Sequence, residues 1–138
     1  MTGILYVDSS ALVKLVVEEV ETPALVELLA AWPLRVTSVV AAVEVPRAAR
    51  RGSPLPAVAA RAADVMSRLT LLDLDRDLIH TATLIEPAGL RTLDAIHLAS
   101  ALSLGPQLEG FLAYDRRLLD AAGAAALPVI PPASSGVS

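Results

Sequence analysis

The sequence has no cysteine among its 138 residues, and aromatic residues and histidine are scarce. The missing thiols exclude a disulfide scaffold, a thiolate metal site and a cysteine nucleophile. Aromatic residues make up 3% of the chain, which argues against a platform that stacks single-stranded bases. Because the only imidazoles belong to His80 and His97, any metal site has to be built mainly from carboxylates.

Positive charge is also in short supply. The chain has 11 basic and 15 acidic residues, a net charge of −4, and Lys14 is its single lysine. A net negative charge argues against a protein that coats DNA non-specifically. It does not argue against a nuclease, which needs basic side chains only locally around an acidic centre. No segment predicts export or membrane insertion, since Asp8 interrupts the first apolar run and Pro128, Pro131 and Pro132 break the longest uncharged one. We expect a cytoplasmic protein.

What the chain does have is hydrophobic residues, 54% of the total, in short runs that alternate with longer helical patterns. The short runs predict buried strands at residues 4–7, 35–37, 70–72, 111–113 and 128–130. Caps, prolines and helical periodicity predict seven helices, at 11–17, 22–31, 38–51, 55–69, 75–86, 92–104 and 115–122. Buried strands separated by helices are typical of an α/β fold, a short and mostly parallel sheet of four to five strands with helices on both faces.

The chain shows no domain linker. We therefore expect one domain over residues 1–132, followed by a disordered tail over residues 133–138.

Four acids stand where such a fold places its ligand site, beyond the C-terminal ends of the strands. Asp8 directly follows the first strand, Asp115 lies beyond the fourth, Asp94 is in the first turn of a helix, and Glu44 lies among mostly apolar neighbours on the helix after the second strand. Each acid also has an ordinary interpretation. Asp8 and Asp115 suit helix caps, Asp94 suits the helix dipole, and Glu44 suits a solvated helix face.

Taken together, the four acids favour one shared site. Clustered carboxylates repel one another, so they normally share a proton or bind a cation. Oxygen-only ligands suit Mg²⁺ or Mn²⁺, and such ions activate water for attack on a phosphodiester. The pattern therefore predicts metal-dependent phosphodiester hydrolysis.

Four segments of the chain resemble the acid-bearing motifs of PIN-domain proteins, specifically the VapC-type toxins of bacterial toxin–antitoxin pairs. They are residues 6–14 (YVDSSALVK), 43–45 (VEV), 90–99 (LRTLDAIHLA) and 114–118 (YDRRL). The resemblance covers nearly the whole chain in the family's order, and its first and third motifs are the specific ones. It implies a three-layer α/β/α PIN fold and a Mg²⁺- or Mn²⁺-dependent endoribonuclease.

The same resemblance implies site residues and partners. The family's catalytic acids fall on Asp8, Glu44, Asp94 and Asp115, with Asp8, Asp94 and Asp115 as the metal ligands. Members of the family commonly dimerise, and a small antitoxin inhibits them by placing its C-terminal segment in the active-site groove. We accordingly expect an RNA substrate, a homodimer and a cognate small antitoxin. Ala113 departs from the pattern, because the family often has Thr or Ser at this position.

Other polar residues near the acids have two interpretations each. Ser9 suits either a contact to a metal-bound water or a plain helix cap. Arg47, Arg116 and Arg117 adjoin the acids, so they suit contacts to RNA phosphates or to the antitoxin as well as solvated helix faces. His97, one turn after the third acid, is either a packed helix residue or an additional metal ligand.

Two alternative functions remain open. The first is an inactive PIN-fold binding module, which the presence of all four acids disfavours. The second is a phosphoaspartate protein with Asp8 as nucleophile. Ser10 stands where a haloacid-type phosphatase needs an aspartate, and Asp73 is the only candidate acceptor for a receiver.

Overall fold

The computed structural model describes residues 3–131, which form seven α-helices around a four-stranded sheet. The strands are β1 (Ile4–Val7), β2 (Leu34–Ser38), β3 (Thr70–Leu72) and β4 (Leu108–Leu112). The helices are α1 (Ser9–Val16), α2 (Thr22–Ala30), α3 (Ala41–Gly52), α4 (Pro56–Ser67), α5 (Arg76–Thr83), α6 (Thr92–Leu102) and α7 (Arg116–Ala124). Residues 132–138 lie outside the described part of the chain, so the predicted tail at 133–138 lies outside it too.

All strand pairs are parallel, and the strands lie in the order β3-β2-β1-β4. Parallel neighbours need crossover connections, which helix pairs supply here. The C-terminal ends of all the strands consequently meet at one edge of the sheet. The segments that carry Asp8 and Asp115 leave that edge side by side, since β1 pairs directly with β4.

The core lies on both faces of the sheet. Because successive strand residues point to opposite faces, Leu5 and Val7 pack with α1 to α4 on one side, whereas Tyr6 packs with α6 and α7 on the other. Tyr6 stacks on Phe111 of β4, with ring centroids 5.5 Å apart. This division confirms the three-layer α/β/α arrangement.

The strand predicted at 128–130 is reduced to a single bridge. Phe111 donates its N–H to the Pro128 carbonyl at 2.9 Å, and Ile130 donates to the Phe111 carbonyl at 3.0 Å. The ladder cannot extend because Pro128 and Pro131 have no N–H to donate.

Several predicted helix boundaries also need correction. Asp8 and not Ser9 caps α1, and the helix begins at Ser9 rather than at residue 11. Helix α5 ends at Thr83, before the predicted boundary at residue 86, because the residue preceding Pro87 is disfavoured in helical conformation. The N-cap of α6 is Arg91, which makes no side-chain capping bond. Within residues 3–131, no helix is both long and apolar enough to cross a bilayer.

Candidate active site

Asp8 is the most buried of the four acids, with 3% of its surface exposed. Its position at the end of β1 makes it the cap of α1, and its Oδ1 accepts hydrogen bonds from Ser10 Oγ at 2.7 Å and from Ala11 N–H at 3.3 Å. Burial raises the pKa of Asp8 to about 6, against the opposing effects of His97 and of these two donors. The protein therefore holds a carboxylate here at an energetic cost that a nearby cation would relieve.

Glu44 belongs to a buried hydrogen-bond network that crosses three layers of the fold. Its Oε1 accepts from Ser9 Oγ at 2.6 Å, and it lies 2.7 Å from His97 Nε2. On the other side of the ring, His97 Nδ1 lies 2.7 Å from the Tyr6 hydroxyl. Because an ionised carboxylate only accepts, Nε2 donates the hydrogen bond to Glu44. The histidine, 1% exposed, thus joins the core to the acid.

The network determines the charge of Glu44. Burial disfavours its ionised form, but hydrogen bonds from His97 and Ser9 outweigh that effect and lower the pKa of Glu44 below its ordinary value. Glu44 consequently stays ionised.

Asp94 and Asp115 lie on the open side of the site, and one arginine joins them. Asp94 is in the first turn of α6, and Asp115 caps α7 by accepting from Leu118 N–H at 3.1 Å. Arg91 donates from Nη2 to Asp115 Oδ2 at 2.9 Å and from Nε to Asp94 Oδ2 at 3.4 Å. The pKa of Asp94 is raised, mainly by burial and also by the charge of Asp115, although Arg91 acts in the opposite direction.

All four acids line one cleft of about 630 Å³ at the C-terminal edge of the sheet. Ser9, Ser10 and His97 line it beside them, and the arginines of the lining are Arg47, Arg51 and Arg91. Carboxylates and guanidinium groups that line the same cleft suit a ligand that presents phosphates to a cation held by the acids.

The remaining predicted residues lie elsewhere. Arg116 and Arg117 are exposed in the first turn of α7, and neither is among the residues that line the cleft, so their contact with RNA or antitoxin stays a prediction. Ala113 is fully buried in the core with Tyr6. The sequence reasoning did not single out Arg91, although its place three residues before Asp94 is the spacing at which helical side chains meet.

Within residues 3–131, no three Asp, Glu or His side chains are close enough together to hold one metal ion. Arg91 pairs with two of the acids, and the hydrogen bonds of Ser10 and Ser9 engage the other two. The donor set itself fits a divalent ion, because hard cations prefer carboxylate oxygens. Burial raises the pKa of Asp8 and of Asp94, and a cation beside them would favour their ionised forms. The metal site stays a prediction.

Most of the chain matches the sequence model of a known family. The model of the PIN domain matches residues 5–124, a segment that includes all four acids. The chain therefore belongs to the PIN domain family.

Individual relatives agree with that result. The chain is 42% identical over 128 residues to Ribonuclease VapC46 of Mycobacterium tuberculosis (strain ATCC 25618 / H37Rv), covering 93% of this chain and 97% of the relative. It is 40% identical over 137 residues to Ribonuclease VapC35 of the same species (strain CDC 1551 / Oshkosh), covering 93% and 96%. The resemblance to VapC-type proteins is thereby confirmed.

Solved structures share the fold at lower sequence identity. Mycobacterium tuberculosis VapC20, described as a Sarcin-Ricin loop cleaving toxin, superposes with a TM-score of 0.72 at 22% identity, over 92% of this chain and 99% of the other. A toxin–antitoxin complex from Klebsiella pneumoniae gives a TM-score of 0.71 at 20% identity, over 94% and 98%.

Proposed function

We propose that the protein is a divalent-metal-dependent endoribonuclease that hydrolyses RNA phosphodiester bonds and acts as the toxin of a toxin–antitoxin pair. The observation that carries the proposal is the cleft in which Asp8, Glu44, Asp94 and Asp115 converge from four chain segments. Relatives named ribonuclease at about 40% identity support the same reaction.

Asp8, Asp94 and Asp115 are the proposed ligands of Mg²⁺ or Mn²⁺. When bound, the ion supplies an activated water and positive charge for the developing phosphorane. The chain's own contribution is to keep three carboxylates at one edge of the sheet by placing two of them as helix caps and one in a helix's first turn.

Glu44 is proposed to orient the attacking water rather than to bind the metal. Its charge is secured by His97 and Ser9, which already engage Oε1, so the carboxylate is fixed in position. A fixed anionic acceptor holds a water for in-line attack at little further entropic cost.

Arg47 and Arg51 are the proposed contacts to RNA phosphates next to the scissile one. Both are exposed on α3, one helical turn apart, and line the cleft beyond Glu44. They supply local positive charge that the net charge of −4 does not.

The test is cleavage of a mixed RNA pool by purified protein with Mn²⁺, with Mg²⁺ and with EDTA. We expect fragments with either ion and none with EDTA. Metal-dependent RNA binding without fragments would instead indicate the inactive binding module, and stable labelling by acetyl phosphate would indicate the phosphoaspartate protein.

The proposed partners are a small antitoxin and a second copy of the chain. An antitoxin Arg or Lys placed among the carboxylates would neutralise them and take the cation's place, so the inhibited complex should bind Mn²⁺ much more weakly than the free protein. Equal affinities would contradict this mechanism.

The surface that would support a homodimer is small. Most apolar residues of α1 and α2 are buried or partly buried in the protein's own core, and Val20 and Val26 are the large apolar residues exposed in this region. A groove beside Val26 is the proposed contact surface, because it combines apolar residues such as Leu15, Val65 and Leu69 with the charged side chains of Arg35, Arg61, Asp64 and Arg68. Light scattering that gives a monomer at micromolar concentration would contradict it.

A further inference from the structure

Arg91 is the cation that joins the two acids on the open side of the cleft. It stands at the N-cap of α6, and its side chain is 71% exposed. From there its guanidinium reaches Asp94 Oδ2 on its own helix and Asp115 Oδ2 on the segment after β4. The two carboxylates have 14% and 26% of their side-chain surface exposed, so they are much more enclosed than their partner.

The oxygens that Arg91 engages belong to two of the three proposed metal ligands. A guanidinium and a divalent ion compete for these oxygens, because both are cations that repel each other at contact distance and each is attracted to the same negative charge.

We propose that Arg91 is an exchangeable internal counter-ion. It holds Asp94 and Asp115 together in the metal-free protein, leaves them when Mg²⁺ or Mn²⁺ binds, and then pairs with an RNA phosphate in the cleft. The proposal rests on the function proposed above and assigns a role to a residue of the same site.

The ion pairs of Arg91 are of a kind that exchanges easily. Pairs that involve an exposed arginine contribute little to stability, and a divalent ion attracts the same carboxylates more strongly. Once displaced, the side chain stays at the cleft because its backbone is fixed at the start of α6. A planar guanidinium there is suited to two parallel hydrogen bonds with a phosphate.

The first measurement is titration of RNA-free protein with MnCl₂ in a calorimeter. Arg91→Ala removes the competing cation and should tighten Mn²⁺ binding on the order of three- to tenfold. The Mn²⁺ affinity of Arg91→Lys should lie between those of Arg91→Ala and the wild type. Arg76→Ala is the matched control, since Arg76 is an exposed arginine at the start of α5, outside both the cleft lining and the proposed contact groove.

The outcomes of the titration distinguish the exchange of Arg91 from the metal-dependent function on which it rests. Unchanged or weaker Mn²⁺ binding by Arg91→Ala, with normal binding by the wild type, would overturn the exchange and leave the metal site intact. Failure of both proteins to bind Mn²⁺ would overturn the metal site and the exchange with it.

The second measurement addresses the phosphate step. At saturating Mn²⁺, with an RNA oligonucleotide that the wild type cleaves, Arg91→Ala should raise KM about tenfold, and Arg91→Lys should recover part of the loss. Tighter metal binding together with weaker RNA binding is a pair of changes that simple damage to the fold would not produce. An unchanged KM would overturn the exchange.

Discussion

The four acids of the cleft form two pairs, an inner half with Asp8 and Glu44 and an outer half with Asp94 and Asp115, and their negative charge is compensated differently. On the inner half, Asp8 and Glu44 are held by short hydrogen bonds from buried or half-buried groups, among them Ser9, Ser10 and His97. On the outer half, a mostly exposed arginine pairs with two acids. The inner half is therefore fixed when the protein folds, whereas the outer half can change partners, and each prediction below tests that difference.

The largest expected effect is on cleavage, where both halves should be indispensable. Asp8→Asn on the inner side and Asp94→Asn on the outer side keep side-chain shape but remove a charge that holds the cation. We expect each to reduce the RNA cleavage rate on the order of 10²-fold or more, measured at matched metal concentration. Asp120→Asn, at an exposed position on α7, is the control and should cleave normally. Full activity in either site variant would remove that acid from the catalytic centre.

The two halves should differ most clearly in how much their side chains contribute to the free energy of unfolding. His97→Ala leaves a cavity and removes the partner of Tyr6 and Glu44, so we expect a loss of about 2–4 kcal/mol in the free energy of unfolding. Arg91→Ala removes the ion pairs of a side chain that is itself mostly exposed, so we expect a smaller loss, on the order of 1 kcal/mol. Urea unfolding measures both, with exposed His80→Ala as the histidine control. Equal losses at positions 91 and 97 would contradict the contrast.

Metal should stabilise the protein through the same acids. A cation that binds only the folded form contributes about 2.7 kcal/mol at a hundredfold excess over Kd. We therefore expect millimolar Mn²⁺ or Mg²⁺ to raise the melting temperature, and Asp94→Asn to blunt the rise. A melting curve that neither ion alters would mean that the acids do not form a metal site.

The smallest expected effect is the pH dependence caused by Asp8. Its folded pKa of about 6 exceeds its ordinary value of 3.8, so the neutral form favours folding. The resulting stability is fully present below pH 3.8 and is lost as the pH rises through about 6. In EDTA, Asp8→Asn should consequently gain on the order of 2 kcal/mol relative to the wild type between pH 4 and pH 7.

This measurement compares the urea midpoints of the two proteins across that range, with Asp120→Asn, at an exposed position on α7, as the control. The other acids titrate in both proteins, so their contributions cancel in the difference. A difference that does not change with pH would show that burial does not perturb Asp8.

The sequence alone could predict the acids because their positions follow from chain order. Asp8 and Asp115 each come after a strand, and the ends of parallel strands meet at one edge whatever the details of packing. The α/β fold was predictable for the same reason, from short apolar runs separated by helices. The fifth strand was not, since whether Pro128 permits a ladder or only one bridge depends on how that segment meets β4.

The partners of the acids could not be predicted. Tyr6 and His97 are 91 positions apart, and their contact arises from the way α6 packs across the sheet. Arg91 lies beside Asp94 in sequence, but its second ion pair, to Asp115, depends on tertiary structure. Local patterns therefore located the charged groups, and long-range packing determined which of them are neutralised and by what.

The hydroxyl of Ser10 connects two chain segments that are far apart in sequence. It donates to Asp8 Oδ1 and accepts from the backbone N–H of Tyr114 at 2.9 Å, while Asp8 N–H itself donates to the Leu112 carbonyl. The ends of β1 and β4 are thus joined twice, once by the sheet and once by a side chain. The conformational entropy of bringing the first acid near the segment of the fourth is lost during folding, so ligand binding at this edge does not carry that cost.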